Sequence, residues 1–392
     1  MRASTPAARA FVHLNHASTS LPDERVFLAQ SSYLELEAQI GTHRAAARLQ
    51  AQLDEVPAKA AGLVEGQPHQ VAFVGSASLG FASTLSAVAP DQPLEVFVSR
   101  HEWASNLMCV AAMRRASIRV VEHESSRSWA ESFALAMVRR EADSVPVLSV
   151  PLISSHSGVV NDLAGLDRIA LENGGWLFVD ASQAVGQRAV NMRSLNADVL
   201  SFPARKWLRG PRGIAVVVLS DRALASFGAS WASDIHGSCW SREAGLTRPR
   251  HSSAGRFQPY GLHPGLVLGL GAAVDVLRDH GIEHVHKRVL ERAAALRHRL
   301  RQVKQVCEAD DDGGSGIVCM QVDPPSHGTA DEVVRELWAR GVNAAAVGER
   351  YAPLQMAGLP SLLRLSVHAF TTDDEIELAA ATLDEVLRTT GA

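Results

Sequence analysis

The fold is decided by two neighbouring segments: WLFVDASQAVG at residues 176–186 and ADVLSFPARKWLRGPRG at residues 197–213. Each contains a short apolar run, WLFV in the first and VLSF in the second, and such runs are typical of strands buried inside a parallel sheet. The first run ends in Asp180, and the second leads to Lys206. Open α/β sheets bind their ligands at the carboxyl ends of the strands, so both polar residues are expected at one edge of the sheet.

The chemistry of this pair indicates a cofactor. Lys206 next to apolar strands is a candidate amine nucleophile, because desolvation lowers the pKa of a lysine and exposes its lone pair. A carboxylate and a lysine at one site fit pyridoxal phosphate, in which the carboxylate keeps the pyridine nitrogen protonated and the amine forms a Schiff base. Taken alone, Asp180 and Lys206 are equally compatible with an ordinary α/β protein that has an acidic strand end and a lysine in a loop.

The surrounding letters resemble the class V aminotransferases, the family of cysteine desulfurases, kynureninase and isopenicillin N epimerase. That family has D-x-x-Q followed about twenty residues later by K-x-x-x-G-P-x-G, and this chain has DASQ at 180–183 and KWLRGPRG at 206–213. The resemblance implies a fold-type-I pyridoxal-phosphate enzyme. In it Lys206 carries the cofactor as a Schiff base, Asp180 pairs with the pyridinium nitrogen, and Gln183 also contacts the cofactor.

The expected fold class is α/β, with a large domain built on a mixed, mostly parallel sheet and a small C-terminal α/β domain. We predict an N-terminal arm at residues 1–22, a large cofactor-binding domain at 23–264 and a small domain at 265–392. The last hundred residues support the small domain, because apolar strand patterns alternate there with helical ones. An acidic turn is expected at residues 310–314, without the alternating ligands of a calcium loop.

Composition limits the classes of partner. The chain has 392 residues, 46% of them hydrophobic and 20% charged, and a net charge of −4, so a nucleic-acid or membrane partner is not expected. The four cysteines lack disulfide or metal-ligand spacing, which suits a reducing cytoplasm, and we expect no metal site. The apolar runs are too short to span a bilayer.

Three further segments are assigned to the cofactor. GSASLG opens a helix after a strand, and its free N–H groups suit a phosphate, so Ser76, Ala77 and Ser78 are the candidate cup. The resemblance assigns Trp103, which follows a glutamate in E-W-A-S-N, to stack on the pyridine ring, with His101 as the alternative. Ser155 stands where desulfurases carry the asparagine that binds the cofactor's phenol oxygen.

The lysine segment departs from the family in two places. The family often has serine three residues before the lysine and histidine directly before it, whereas this chain has Pro203 and Arg205. Proline cannot bind a phosphate, so Arg205 is expected to supply that charge. The Arg-Lys pair, together with Ser155-His156, resembles the hercynylcysteine sulfoxide lyase branch of the family.

The resemblance also indicates substrate and dimer contacts. Arg364 lies in R-L-S-V-H, like the family's R-x-S-x-H strand, whose arginine binds the substrate carboxylate as a planar fork. Asn15, His16 and His156 are the other candidate contacts to an amino acid substrate. The segment that leads to Gly261 resembles the family's R-F-E segment, which reaches the partner's phosphate, so a homodimer with a shared active site is expected.

The absence of a cysteine from one loop bears on the type of reaction. Desulfurases need a mobile cysteine before the R-x-S strand, and GERYAPL at residues 348–354 has none. Persulfide chemistry of that kind is therefore not expected. Because Ser155-His156 and Arg205-Lys206 resemble the sulfoxide-lyase branch, the resemblance implies β-elimination at a C–S bond, with transamination and epimerisation as the alternatives. A non-catalytic descendant of the fold is disfavoured, because Asp180, Gln183 and Lys206 are all retained.

Overall fold

The computed structural model describes residues 1–124, 126–243, 246–308, 314–322 and 329–389. Residues 310–313 of the predicted acidic turn lie outside the described part. No helix among the described residues is both long and apolar enough to cross a membrane.

The strands are numbered in chain order. They are β1 (Val12–His13), β2 (Val71–Val74), β3 (Leu94–Ser99), β4 (Ala116–Val121), β5 (Val145–Pro151), β6 (Trp176–Asp180), β7 (Val199–Pro203), β8 (Ala215–Leu219), β9 (Ser238–Ser241), β10 (Leu246–Pro249), β11 (Val306–Glu308), β12 (Ile317–Val322), β13 (Val342–Asn343), β14 (Ala345–Val347) and β15 (Leu362–Ser366).

The helices follow the same order. They are α1 (Glu24–Ile40), α2 (Thr42–Arg48), α3 (Gln50–Gly62), α4 (Ala77–Ala87), α5 (Ala104–Ala111), α6 (Trp129–Met137), α7 (Leu166–Glu172), α8 (Met192–Leu195), α9 (Asp221–Ser226), α10 (Pro264–His280), α11 (Ile282–Leu300), α12 (Ala330–Ala339), α13 (Pro353–Met356) and α14 (Asp373–Thr389), with short 3₁₀ turns at Pro6–Arg9, Pro68–Gln70 and Ala254–Phe257.

A seven-stranded sheet forms the large domain, in the order β2-β8-β7-β6-β5-β3-β4. The strands from β7 to β4 run parallel, whereas β8 is antiparallel to both β2 and β7. The expected mixed, mostly parallel sheet is therefore confirmed. Alternate residues of its strands enter two separate apolar clusters, one containing side chains of α3, α6 and α7 and the other side chains of α4 and α5. Helices thus cover both faces of the sheet.

The two segments that carry Asp180 and Lys206 meet because β6 pairs with β7 in parallel, with Asp180 opposite Ser201. Lys206 follows in the loop between β7 and β8. Gly186 brings the two segments into close contact: its φ is +101°, and a Cβ there would lie 2.3 Å from the backbone of Trp207. Glycine is the residue type that allows this backbone angle and this approach at low cost.

The small domain contains an antiparallel sheet in the order β11-β12-β15-β14, with an apolar core shared with α11, α12 and α14. Residues 342–347 form two short strands, β13 and β14. β13 leaves this sheet and pairs in parallel with β1, so that the N-terminal arm joins the small domain.

The packing of α10 bears on the predicted boundary between the large and small domains. Residues 265–280 were assigned to the small domain, yet α10 packs along α1 and α3 of the large domain. The reason is its composition: α10 buries most of its length, including Val267 and Leu270, in the large domain's apolar cluster. The start of α11 enters the same cluster through Val285 and Val289, and the boundary between the domains stays a prediction.

Candidate active site

Two adjoining cavities open at the carboxyl edge of the large sheet. The inner cavity has a volume of about 180 Å³ and is lined by Ser76, Ala77, Ser78, His101, Trp103, Ser105, Asn106, Pro151, Ile153, Ser155, Asp180, Ser182, Gln183, Pro203, Arg205 and Lys206. The outer chamber, of about 250 Å³, is lined by Ala17, Ser18, Thr19, Trp103, Gln183, Arg205, Lys206, Arg212, Ala345, Ala346, Val347, Tyr351 and Arg364. Four residues border both spaces: Trp103, Gln183, Arg205 and Lys206. Most of the predicted cofactor residues therefore lie together.

Lys206 lies between the two cavities and is only 8% exposed. The pKa of its amine is lowered to about 7: burial has the largest effect, Asp180 opposes it, and the charges of Arg205 and Arg364 act in the same direction as burial. Near neutral pH a large fraction of the amine is then unprotonated. The side chain has the protonation that an amine nucleophile or a proton carrier needs.

Asp180 ends β6 and lines the inner cavity, where its Oδ1 accepts a hydrogen bond from the backbone N–H of Ser182 at 2.8 Å. A second carboxylate, Glu102, is fully buried nearby. Burial, and then the charge of Asp180, raises the pKa of Glu102 to about 7. Glu102 also accepts hydrogen bonds from Ser149 Oγ and Asn106 Nδ2, both at 2.8 Å, and so fixes the segment that carries Trp103.

The opposite end of the inner cavity suits a phosphate. Ser76 caps α4, its Oγ accepting from the N–H of Leu79 at 3.1 Å. The N–H groups of Ala77 and Ser78 belong to the first helical turn, where the helix offers no acceptor. Arg205 borders the same cavity, and its guanidinium has no acidic partner among the described residues. An unpaired, partly buried cation beside a helix N-terminus is a donor set that fits a phosphate dianion.

Two aromatic rings border the inner cavity. The indole of Trp103 has Lys206 Nζ 5.8 Å from its centroid and stacks with Tyr351 at 5.9 Å and 17°. His101 hydrogen-bonds through Nδ1 to Asn161 Oδ1 at 2.8 Å. Both rings can reach a planar cofactor, and the assignment of the stacking role to Trp103 stays a prediction.

Gln183 and Ser155 connect the cofactor end to the rest of the molecule. The amide of Gln183 donates to the carbonyl of Ala17 at 3.0 Å and accepts from Trp207 Nε1 at 2.8 Å. Ser155 lines the inner cavity, and its carbonyl accepts a hydrogen bond from Arg364. These contacts fix the position of the N-terminal arm relative to the cofactor segment.

Arg364 lies in the wall of the outer chamber and is 5% exposed. Its Nη2 donates to Ser18 Oγ at 2.7 Å, and its buried Nε has no partner among the described residues. The guanidinium is thus held by two neutral acceptors, with no carboxylate to balance its charge. Such a site fits the carboxylate of an amino acid.

Two histidines predicted to contact substrate line neither cavity. His16 is fully buried, its Nδ1 pairs with Ser20 Oγ at 2.6 Å, and its ring packs against those of His13 and His368. His156 is 2% exposed and pairs through Nδ1 with Ser154 Oγ at 2.9 Å. Burial lowers the pKa of His156 to about 3, helped by the charges of His101 and Arg364. In this structure both rings are packed among other side chains, and their contact with substrate stays a prediction.

Asn15 also makes its contacts elsewhere in the single chain, and its contact with substrate stays a prediction. Its Nδ2 donates to the carbonyl of Ala344 at 3.3 Å, so the side chain joins the arm to the small domain and lines neither cavity. The arm reaches the outer chamber two residues later, through Ala17, Ser18 and Thr19. The sequence motif thus identified the segment that reaches the chamber. Because the arm lies between two domains, the sequence alone did not indicate which of its residues face the chamber.

Gly261 is exposed and lines neither cavity of its own chain. The preceding turn packs inward, with Arg256 Nη2 donating to the carbonyl of Phe227 at 3.0 Å, while Tyr260 stays 65% exposed. The contact of Gly261 with a partner's phosphate stays a prediction.

Sequence reasoning missed several residues of the site. Among them are Glu102, Ser18, Thr19, Arg212 and Tyr351. A signal existed for three of them: Glu102 lies in the same motif as Trp103, Ser18 follows the assigned arm, and Arg212 occupies the variable position of G-P-x-G. Thr19 and Tyr351 carry no motif and become visible only through the fold.

Fold and site together define a pyridoxal-phosphate enzyme of fold type I, in which Lys206, Asp180 and the first turn of α4 border one cavity. The chain belongs to the aminotransferase class-V family, whose model matches residues 12–378. The cofactor is pyridoxal 5′-phosphate.

Known proteins match the chain over nearly its whole length. A probable cysteine desulfurase of Methanothermobacter thermautotrophicus is 25% identical over 408 aligned residues, covering 98% of this chain and 97% of the relative. The crystal structure of the cysteine desulfurase CsdA from Escherichia coli has a TM-score of 0.85 at 21% identity, covering 99% and 98% of the two chains. The cystine C–S lyase C-DES, in complex with its reaction product cysteine persulfide, has a TM-score of 0.82 at 17% identity, covering 97% and 99%.

Proposed function

We propose that the protein is a pyridoxal-phosphate-dependent C–S lyase, which cleaves the Cβ–S bond of an S-substituted cysteine or its sulfoxide by β-elimination. The names of the relatives, cysteine desulfurase and cystine C–S lyase, support chemistry at the sulfur of cysteine. The observation that carries the proposal is the wall of the outer chamber, where the loop at residues 348–354 presents Tyr351 and no thiol.

The positions of the cysteines argue against transfer of sulfur to the enzyme. None of the four lines either cavity. Cys109 lies on α5 with Sγ 3.9 Å from the carbonyl of Ser78, Cys319 is buried on β12, and Cys239 and Cys307 are exposed on β9 and β11. Without a thiol to accept it, the sulfur departs bonded to its own substituent.

The site residues have different roles in this elimination. Bound pyridoxal phosphate supplies the electron sink for the electron pair left at Cα when its proton is removed. Arg364 holds the substrate carboxylate, and Lys206 Nζ takes the Cα proton, which its pKa of about 7 permits. Asp180, close to the inner end of the cavity, stabilises positive charge at the ring nitrogen.

The bond changes balance without an added oxidant or reductant. The Cα–H bond loses its proton to Lys206, the Cβ–S bond breaks, and its electron pair leaves on sulfur as a thiolate or, from a sulfoxide, a sulfenate. The three-carbon product is 2-aminoacrylate, which water hydrolyses to pyruvate and ammonia.

The test incubates the holoenzyme with S-substituted cysteines and their sulfoxides and follows pyruvate, with Lys206→Ala as the blank. Pyruvate in amounts far above the enzyme concentration is expected. Stoichiometric pyridoxamine phosphate without pyruvate would indicate an aminotransferase instead, and loss of optical purity without pyruvate would indicate an epimerase. Alanine formed from L-cysteine would indicate a desulfurase that takes its acceptor thiol from elsewhere.

The active site is proposed to be shared across a homodimer. The segment that leads to Gly261 exposes Trp231, Trp240 and Tyr260, which are 65–68% exposed in the single chain. Large aromatic side chains of this kind are frequent in interfaces. Sedimentation of the holoenzyme at twice the mass of the chain is expected, and a monomer that retains full activity would refute the shared site.

A further inference from the structure

The outer chamber holds one more positive charge than the proposed reaction uses. Of the side chains that line it, four are cationic and none is acidic: Lys206, Arg205, Arg364 and Arg212. In the proposed function Lys206 carries out the chemistry, Arg205 faces the phosphate, and Arg364 holds the α-carboxylate. The proposed function assigns no role to Arg212.

Arg212 occupies the variable position of the G-P-x-G motif, at the end of the loop that begins with Lys206. Its side chain is exposed at the chamber wall and makes no hydrogen bond or ion pair within the described ranges. Its charge lies close enough to lower the pKa of Arg205, after the larger effect of burial. Two guanidinium groups that repel each other across an acid-free space are stabilised by an anion between or beside them.

The wall near Arg212 is otherwise suited to a carbon chain. Ala345, Ala346 and Val347 of β14 present small apolar surfaces, and the ring of Tyr351 lies in the same chamber. In the proposed function, Arg364 fixes the α-carboxylate, and a substituent that extends from the reacting sulfur then contacts these groups. The chamber therefore combines an apolar path with a cation that can contact the end of the substituent.

We propose that Arg212 binds a second carboxylate, carried on the sulfur substituent of the substrate. The substrate class is then S-substituted cysteines with an acidic side arm. This inference rests on the proposed function, because that function places the substituent in the outer chamber. It goes beyond it by assigning a specificity-determining residue.

The kinetic test compares two substrates of equal shape, S-(2-carboxyethyl)-L-cysteine and S-(2-carbamoylethyl)-L-cysteine, by pyruvate formation. The wild type is expected to prefer the carboxylate by about tenfold in kcat/KM, the value of one charge-assisted hydrogen bond. In Arg212→Gln the ratio falls to about one, and in Arg212→Lys part of it returns. Arg335→Gln, which removes an exposed arginine of α12 that does not line the chamber, keeps the wild-type ratio.

A binding test separates this inference from the reaction. L-Glutamate and L-glutamine, which lack a sulfur leaving group, are titrated against the wild type and Arg212→Gln, and the dissociation constants follow from tryptophan fluorescence. Tighter binding of glutamate that disappears in Arg212→Gln supports the acidic subsite, even where no compound yields pyruvate and the lyase proposal fails. Pyruvate formation with equal kcat/KM for the two thioethers, or a preference that survives in Arg212→Gln, would overturn the subsite and leave the lyase standing.

Discussion

The inner cavity and the outer chamber are built in different ways. Nearly all of the inner wall comes from the ends of parallel strands and the first turns of the helices that follow them, within residues 76–206. The outer wall combines the arm at 17–19, the lysine loop and the small domain at 345–364. The cavity that holds the cofactor is therefore fixed by one sheet, whereas the chamber proposed for substrate depends on parts of the chain that are far apart in sequence. Because the two spaces are built from different segments, substitutions in the outer chamber can change substrate specificity while the residues of the inner cavity stay the same.

The largest expected effect comes from the residue common to both spaces. Lys206→Ala removes the amine that moves the Cα proton, so kcat should fall by at least about 10³-fold. Cofactor phosphorus measured on the purified variant should show partial retention, because the helix α4 cradle and Arg205 remain. Full turnover in Lys206→Ala would refute the assignment, and exposed Lys287→Ala serves as the control.

The inner cavity alone is tested by Asp180→Ala. The carboxylate stabilises charge at the ring nitrogen, and loss of such a preorganised interaction lowers kcat by about 10² to 10³-fold. Steady-state pyruvate formation measures this, with the exposed Asp143→Ala for comparison. A loss of less than about tenfold, roughly 1.4 kcal/mol, would show that Asp180 does not have this role.

The outer chamber alone is tested by Arg364→Lys. Lysine keeps the charge but cannot form the planar fork with a carboxylate, so KM should rise by about tenfold or more while kcat changes less. Arg350→Lys is the matched control. An unchanged KM would place the α-carboxylate elsewhere and would remove the main difference between the two spaces.

The smallest effect is expected at the contact between the arm and Arg364. Ser18→Ala removes an acceptor worth about 1 kcal/mol, so KM should rise by a few-fold at nearly constant kcat. Initial rates over a range of substrate concentrations resolve this change. An equal fall in kcat would mean that Ser18 acts on the reacting atoms rather than on the position of Arg364.

The inner cavity could be predicted from sequence because its residues follow apolar runs. β2, β3, β6 and β7 are buried strands with clear patterns, and each delivers its polar residues to the same edge. The edge strand β4 was missed, because its residues are mostly half-exposed and give a weaker signal.

The outer chamber was predicted less well, for a physical reason. Which side of the arm faces the chamber depends on its pairing with β13, a contact between residues about 330 positions apart. The local sequence does not indicate that pairing, so Ser18 and Thr19, which line the chamber, were not identified. Arg364 does line the chamber, because Arg364 and Ser366 of its motif lie on one strand, β15; its contact with the substrate carboxylate stays a prediction.

The contacts of the arm also affect the order in which the inner cavity and the outer chamber form. The N–H of Ser366 donates to the carbonyl of Leu14 at 2.7 Å, and Arg364 is bound to Ser18. The outer chamber therefore forms only when segments 346 positions apart in the chain have met. Closing a loop of this length costs entropy that grows only slowly with its size, but it places the step late in folding. The sheet behind the inner cavity is complete once β8 has formed, because β8 joins β2 to β7. The inner cavity therefore depends on contacts that are closer in sequence than those that complete the outer chamber.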